Sequence, residues 1–214
     1  MPIYPDMWSY RPEWKNRVEA ICETSQGDAS TVYRFDLCSH TGTYVETSQH
    51  KLATDLLLRD FELSAFMRLC KVVSVDAKAE APIALSRFQA ALVEGEITVE
   101  ANDALIVATG WGMNHRDPGY VCECPFFDSE LVDWLADQQL GLLGVDTPVI
   151  DNAREPFQAV QRLFEATPEM LLMAPLVIDP TRIPTGTYFL SAAPLNVESV
   201  SGSLCRPVLM EVSE

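Results

Sequence analysis

Two histidines and one carboxylate stand close together in the segment HTGTYVETSQH, residues 40 to 50. His40 and His50 bracket Glu46, and the whole chain contains only three histidines. Imidazole nitrogens and carboxylate oxygens bind divalent metals, and the same groups carry protons near neutral pH. The segment therefore predicts one of three things: a metal site, an acid/base site, or a polar loop without chemistry.

The charge of the chain restricts its partners. Among 214 residues, 31 are acidic and 15 are basic, which gives a formal net charge of −16. A surface of this sign repels phosphate backbones and anionic lipids, so we expect neither a nucleic-acid nor a membrane partner. The opening MPIYPDMWSYRPEW lacks the basic and apolar regions of a secretory signal. We therefore expect a cytoplasmic protein.

Strand patterns and helix patterns alternate from about residue 69 onward. Apolar or β-branched runs predict strands, and apolar residues three and four apart predict helices. The predicted strands are 31–38, 69–77, 103–111, 141–146, 169–178, 186–195 and 205–212, and the predicted helices are 81–92, 128–140 and 155–166. This alternation predicts an α/β fold with a central sheet, in a single domain over residues 1–214, with the histidine segment in a loop.

The sequence resembles the cyclase family, the metal-dependent hydrolases that include bacterial kynurenine formamidase and isatin hydrolase. That family carries the motif H-x-G-T-H-x-D-x-P-x-H, and Gly42, Thr43 and the two outer histidines match it in place. Four further segments resemble family segments in the same order, namely MPIYP, ATGW (108–111), LGVDTPVID (143–151) and SGSLCRPVLM (201–210). The resemblance implies a swivelling β/β/α domain, with a barrel-like mixed sheet flanked by helices.

The departures from the motif fall on the family's metal ligands. Tyr44 stands where the family has its second histidine, and Glu46 stands where it has an aspartate. An alignment of AVQRLFEATPEMLLMAPL puts Gln161 and Met173 at the places of a later histidine and glutamate, and neither is a good ligand for such ions. The resemblance thus implies that a two-metal site is lost. We expect no metal cofactor, and the alternative is a single zinc or manganese ion bound by His40 and Glu46.

His50 keeps the place of the family's proton-transfer residue. Histidine titrates near neutrality and suits general acid/base catalysis, and a neighbouring glutamate or tyrosine could orient it. The predicted catalytic residues are His50, Glu46, His40 and Tyr44. The predicted substrate contacts are Tyr4, Trp8, Trp111, His115, Gln161 and Met173. Two of these also fit other roles, since His115 fits a surface loop and Trp111 fits a buried core.

These residues predict an enzyme that cyclises, dehydrates or isomerises a small carbonyl-bearing biosynthetic intermediate without a metal. The first alternative is a hydrolase of an amide, lactam or lactone with a single zinc or manganese ion. The second is a non-catalytic protein that binds a small molecule. Family members usually form dimers or larger assemblies, so the resemblance implies a homo-oligomer in which the N-terminal segment, residues 1–30, contacts a neighbouring subunit.

Overall fold

The computed structural model describes residues 1–212, which form twelve strands and three α-helices. The strands are β1 (Arg17–Cys22), β2 (Val32–Asp36), β3 (Tyr44–Glu46), β4 (Met67–Ser74), β5 (Pro82–Ile83), β6 (Ala104–Ala108), β7 (Phe126–Phe127), β8 (Leu142–Val145), β9 (Leu171–Ala174), β10 (Gly186–Ser191), β11 (Gly202–Leu204) and β12 (Val208–Glu211). The helices are α1 (Leu85–Glu94), α2 (Ser129–Asp137) and α3 (Ala159–Ala166).

Eight strands form one curled sheet in the order β11-β3-β9-β8-β6-β4-β10-β12. The four central strands run parallel, and antiparallel strands extend the sheet on both sides. The three helices lie in the connections between the parallel strands, as crossovers between parallel neighbours require. This arrangement confirms the predicted α/β class with a mixed central sheet. No helix within residues 1–212 is long and apolar enough to cross a membrane.

Apolar side chains cover both faces of the central strands. Along β6, Leu105 and Val107 face the helices, whereas Ile106 faces a second apolar cluster on the other side of the sheet. All five residues of β6 are buried, which explains why its sequence is a continuous apolar run. A rigid, doubly covered sheet therefore carries the loops at the ends of its strands.

The first residues of α2 and α3 show when a local sequence signal is enough to predict where a helix begins. Helix α2 starts as predicted, because the Asp128 carboxylate accepts a hydrogen bond from the Leu131 amide at 2.7 Å. Helix α3 begins at Ala159 and not at residue 155, so Pro156 lies before it. The Asp151 carboxylate accepts hydrogen bonds from the Phe157 and Ala159 amides, which ties the residues before α3 into a turn.

The segment 31–38 was predicted as a half-buried strand, and the structure corrects this. Within residues 1–212, strand β2 pairs only with β1, and all five of its residues are exposed. Val18 on β1 and Phe35 on β2 are paired neighbours, and they are 46% and 65% exposed. Within the described residues this ribbon forms a sheet of its own, separate from the eight-stranded one.

Candidate active site

Strand β3 places Glu46 in the sheet, whereas the sequence predicted a loop there. It pairs with β9 on one side and β11 on the other. Successive side chains of a strand point to opposite faces, so Tyr44 and Glu46 share one face and Val45 packs into the core on the other. Hydrophobic periodicity could not reveal this strand, because it has only three residues. Two of them, Tyr44 and Glu46, carry polar groups that line a pocket although both residues are buried.

A tight turn before β3 positions His40. Gly42 has a φ of 68°, in the left-handed region, and a Cβ there would lie 3.1 Å from the Ile3 side chain. The next residue, Thr43, donates a hydrogen bond from its hydroxyl to the Pro175 carbonyl at 2.6 Å. The glycine and the threonine that match the family motif thus fix the turn that carries His40.

A short 3-10 turn after β3, Ser48–His50, positions His50. Thr47 precedes this turn, and its amide donates to the Ser201 carbonyl at 2.8 Å. Its hydroxyl donates to the Leu56 carbonyl at 2.7 Å. The His50 amide then donates back to the Thr47 carbonyl at 3.1 Å. These bonds anchor the turn from two directions, so His50 sits on a defined backbone.

His40, Glu46 and His50 form one polar cluster. The Nε2 atom of His40 lies 2.9 Å from Oε2 of Glu46, and Nδ1 of His50 lies 3.6 Å from the same oxygen. The two imidazole centroids are 4.6 Å apart. A carboxylate only accepts, so His40 donates from Nε2, and its Nδ1 atom lies 2.8 Å from the Ser39 hydroxyl. Glu46 is thus a buried carboxylate shared by two imidazoles.

Burial keeps His50 neutral at pH 7. Loss of solvation lowers its pKa from the ordinary value of 6.5, and His40 and Lys51 lower it further, while the Glu46 carboxylate raises it. The net direction is downward, so the imidazole has a free lone pair at neutral pH. A neutral histidine beside a carboxylate is suited to accept a proton.

Tyr44 keeps its proton. Burial is the main cause that raises its pKa well above 10, and the neighbouring Tyr10 and Glu46 act in the same direction. The Tyr10 hydroxyl donates to the Pro148 carbonyl at 2.7 Å, so at 3.3 Å it accepts from the Tyr44 hydroxyl. A phenol held in this way is a hydrogen-bonding group of the pocket wall and not a phenolate ligand for a metal.

The cluster also fits one divalent ion. His40, Glu46 and His50 each offer one donor atom, and these atoms all lie within 4.8 Å of one another. The sequence predicted only His40 and Glu46 as ligands, so the structure adds His50. Two imidazoles and a carboxylate suit zinc, manganese or iron. The residues aligned with the family's later histidine and glutamate, which were predicted to be poor ligands, do not join this group. The Gln161 amide bonds Glu165, and Met173 lies on the opposite face of the sheet.

A pocket of about 660 Å³ opens above the cluster. Its apolar lining comes from β8, β9, and the loops after β8 and before β7, through Val121, Val145, Val149, Ile150, Leu172 and Ala174. Tyr10 and Trp14 from the N-terminal segment add aromatic surface. Gln161, which the sequence predicted as a substrate contact, lines the pocket as well. The arrangement suits a small, largely apolar molecule with a polar group at Glu46 and His50.

Met173 was predicted as a substrate contact, and the structure corrects this prediction. The alternation along β9 turns Leu172 and Ala174 to the pocket and Met173 to the core, where it is fully buried and paired in register with Val45. The alignment that chose Met173 therefore selected a residue on the face of the strand opposite the pocket.

Four other predicted contacts do not line this pocket. Tyr4 donates its hydroxyl hydrogen bond to the His115 carbonyl at 2.7 Å, and the His115 ring donates from Nδ1 to the Gly112 carbonyl at 3.1 Å. Trp111 donates from its indole to the Tyr120 carbonyl at 2.9 Å. Trp8 packs against the ring of Tyr120. These side chains are held by structural contacts near the N-terminal segment, and the pocket lining excludes them.

Sequence reasoning missed several pocket residues. Tyr10 and Trp14 lie in the same aromatic segment as Tyr4, but the structure brings these two to the pocket. Arg11 and Lys51 line it too, and neither was singled out. The position of Lys51 next to His50 was the available signal, because the turn that carries one also carries the other.

Comparisons with known proteins find a family model, a related sequence and similar structures. The family model described as "Putative cyclase" matches residues 1–152. The kynurenine formamidase of Erythrobacter litoralis (strain HTCC2594) is 26% identical over 220 residues, which cover 100% of this chain and 90% of that protein. Isatin hydrolase A from Ralstonia solanacearum superposes with a TM-score of 0.80 at 19% identity, over 99% of this chain and 90% of that one. A potential metal-dependent hydrolase with cyclase activity superposes with a TM-score of 0.76 at 22% identity, over 98% and 94%.

Proposed function

Because this chain belongs to the cyclase family, whose relatives described above are named as enzymes, we propose that it catalyses a reaction of a small carbonyl compound. The observation that carries the proposal is the position of His50. Its imidazole lines an apolar pocket, and its Nδ1 atom is 3.6 Å from the buried carboxylate of Glu46. In this proposal His50 is the proton carrier and Glu46 orients it.

The chemistry follows from the protonation states. Neutral His50 accepts a proton from the substrate at one ring nitrogen, and the imidazolium that forms is stabilised by the Glu46 carboxylate beside it. The same ring then returns the proton to another atom of the substrate. Moving a proton within one molecule is sufficient for cyclisation, isomerisation or dehydration next to a carbonyl group. The apolar walls limit water around the reacting atoms and strengthen these electrostatic interactions.

The second candidate is a hydrolase with one zinc or manganese ion. The three donor atoms within 4.8 Å favour it, and His40, Glu46 and His50 would hold the ion. A bound ion of this kind polarises a carbonyl group and supplies hydroxide at neutral pH. Under this candidate the substrate is an amide, lactam or lactone. Two of the relatives are named for kynurenine formamide and isatin, which are compounds of these kinds.

Metal content and chelation separate the two candidates. The purified protein is passed through gel filtration, its metals are measured by inductively coupled plasma spectrometry, and turnover of the formamide of kynurenine, isatin and carbonyl-bearing intermediates is assayed with and without chelator. We expect less than one dication per chain and an activity that the chelator leaves unchanged. One ion per chain, with activity lost to chelator and restored by zinc or manganese, would establish the second candidate instead.

We also propose that the protein forms a homo-oligomer, as the family resemblance implies. The support is the ribbon β1–β2, which exposes large apolar side chains on a two-stranded sheet of its own, since such a ribbon is marginally stable unless something covers it. Size-exclusion chromatography with light scattering measures the mass in solution. A monomer at micromolar concentration would remove this proposal.

A further inference from the structure

Two cations line the pocket of a strongly acidic protein. The formal net charge is −16, and most ion pairs of the described residues neutralise a lysine or arginine with a nearby acid. Such pairs are Arg34–Glu19, Lys71–Asp103, Arg87–Asp76, Arg154–Glu80 and Arg162–Asp133. Lys51 lines the pocket and has no acid within ion-pair distance in the part of the chain that the structure describes.

Arg11 is the second cation of the pocket. Its only acid contact within residues 1–212 is Glu13, two residues away, at 3.9 Å and with both side chains about two-thirds exposed. An exposed ion pair of this kind contributes little free energy, so it does not hold Arg11 in place. The guanidinium lies 5.2 Å above the Trp14 ring, and Trp14 also lines the pocket. The aromatic ring therefore positions Arg11 at the pocket while leaving its N–H groups available.

The acids of the pocket are already engaged. Glu46 is buried between two imidazoles. Both oxygens of Asp151 accept hydrogen bonds from the Ala159 amide, and one also accepts from the Phe157 amide. Among the described residues, neither carboxylate lies within ion-pair distance of Arg11 or Lys51, so the two cations have no acid partner within the lining of the pocket. An anionic group of a bound molecule would supply one.

We propose that the substrate carries a carboxylate, which Lys51 and Arg11 bind at the open side of the pocket. Both side chains are exposed, which places their charges toward solvent, whereas Glu46 lies at the buried end. The Glu46 charge repels an anion, so the substrate enters with its carboxylate outward and its carbonyl group toward His50. The inference rests on the proposed function only for this last assignment.

Lys51 follows His50 directly and closes the same turn. Its amide donates to the Ser48 carbonyl at 2.9 Å, so the backbone of both residues is fixed together. The turn therefore keeps the backbone of the anion-binding residue next to that of the proton carrier. A substrate bound by its carboxylate at Lys51 is held near His50, which is how a remote binding group orients a reacting one.

A pair of matched ketones tests the inference. Acetophenone and 3-acetylbenzoate share an aromatic ring and a carbonyl group, and only the second carries a carboxylate; neither contains a bond that hydrolysis would cleave. Their dissociation constants are measured by calorimetry on the wild type, Lys51→Met, Arg11→Gln and Lys78→Met. Lys78 is exposed and does not line the pocket, so Lys78→Met removes the same charge elsewhere.

We expect the wild type and Lys78→Met to bind 3-acetylbenzoate roughly tenfold more tightly than acetophenone, with a preference that shrinks as salt rises. Lys51→Met and Arg11→Gln should each reduce the preference by about three- to fivefold. Equal binding of the two ketones, an unchanged preference in both variants, or no binding of 3-acetylbenzoate at about 10 mM would overturn the inference. The His50→Ala protein should keep the preference, so a failure of the proposed chemistry is seen separately.

Discussion

Glu46 lies in a strand of the eight-stranded sheet and Asp146 directly follows another, and both carboxylates are buried in different surroundings. Asp146 follows β8 and accepts hydrogen bonds from the Thr109 amide, the Thr109 hydroxyl and the Gly110 amide, at 2.7 to 3.0 Å. Its donors are mostly backbone groups that cannot titrate. Glu46 instead faces two imidazoles, which can gain or lose protons, and a pocket. From the difference in partners, and not from burial, we expect a structural role for Asp146 and a chemical role for Glu46.

The largest expected effect is on catalysis, at His50, which is one of the two imidazoles beside Glu46. General acid/base catalysis by a placed side chain contributes on the order of a hundred- to ten-thousand-fold. His50→Ala should therefore lower kcat by at least about a hundredfold, with the folded structure intact by circular dichroism. His115→Ala is the matched control, because this histidine does not line the pocket, and it should keep most of the activity. A folded His50→Ala enzyme with near-normal kcat would leave catalysis to binding and shape alone.

The next largest effect is on the stability of the fold, at Asp146. Asp146→Ala leaves the Thr109 and Gly110 amides buried without their acceptor, so the free energy of unfolding should fall by about 2–4 kcal/mol in urea titrations. Activity per folded molecule should change far less. If Asp146→Ala were as stable as the wild type but inactive, Asp146 would belong with Glu46 in the chemical group.

The same carboxylate gives the stability a pH dependence. Burial, opposed by the hydrogen bonds from Thr109 and Gly110, raises the pKa of Asp146 to about 6. The folded state then binds more protons than the unfolded state between about pH 4 and 6, so the contribution of Asp146 to stability is lost as pH rises through that window. Urea titrations at about pH 4 and 6 should show that Asp146→Ala lacks this dependence of the free energy of unfolding on pH. An identical slope in the variant would assign it to other groups.

A smaller effect is expected at Glu46. Glu46→Gln keeps the size of the side chain and removes its charge, so His50 loses its charge partner but remains in place. We expect kcat to fall by about tenfold, less than in His50→Ala, because orienting a proton carrier contributes less than the carrier itself. Steady-state kinetics of both variants on one substrate compare them. Equal losses would mean that Glu46 is itself the base or a metal ligand.

The smallest effect is the response of the wild type to mild acid. The pKa of His50 is lowered from 6.5, mainly by burial, so more than half of the imidazole stays neutral at pH 6.5. If the neutral form is the base, kcat/KM should fall by less than about twofold between pH 8 and 6.5 and then decline below 6.5. The His50→Ala profile should lack this decline. A decline that begins above pH 7 would contradict the neutral-base mechanism.

The fold was predictable where the signals are local and repeated. The apolar run of β6 and the Asp128 cap of α2 each lie within a few residues, so the sequence reveals them. The start of α3 depends on Asp151, eight residues before it, and it was placed too early. Phe35 is exposed because no third strand of the described residues pairs with the ribbon, and no local pattern in the sequence indicates this.

The sequence predicted the segment that carries the polar cluster, but it did not predict most of the residues that form the rest of the pocket. The types and spacing of His40, Glu46 and His50 indicated chemistry, and the structure brings them into one cluster. Most of the pocket comes from segments distant in the chain, and Arg11 lies in a segment where no motif indicates a pocket residue. Lys51 follows His50 directly, but its place beside the motif does not by itself show that its side chain lines the pocket. Met173 shows the remaining difficulty, because counting along a sequence does not say which face of a strand a residue occupies.

Strand β3 makes the site sensitive to chain length. Its three residues alternate between the pocket and the core, with Val45 between Tyr44 and Glu46. Inserting or deleting a single residue here would turn Val45 to the pocket and drive the Glu46 carboxylate into the apolar core. Single substitutions at these positions therefore change one side chain at a time. An insertion or deletion of one residue would remove the acid from the pocket and disrupt the sheet in the same event.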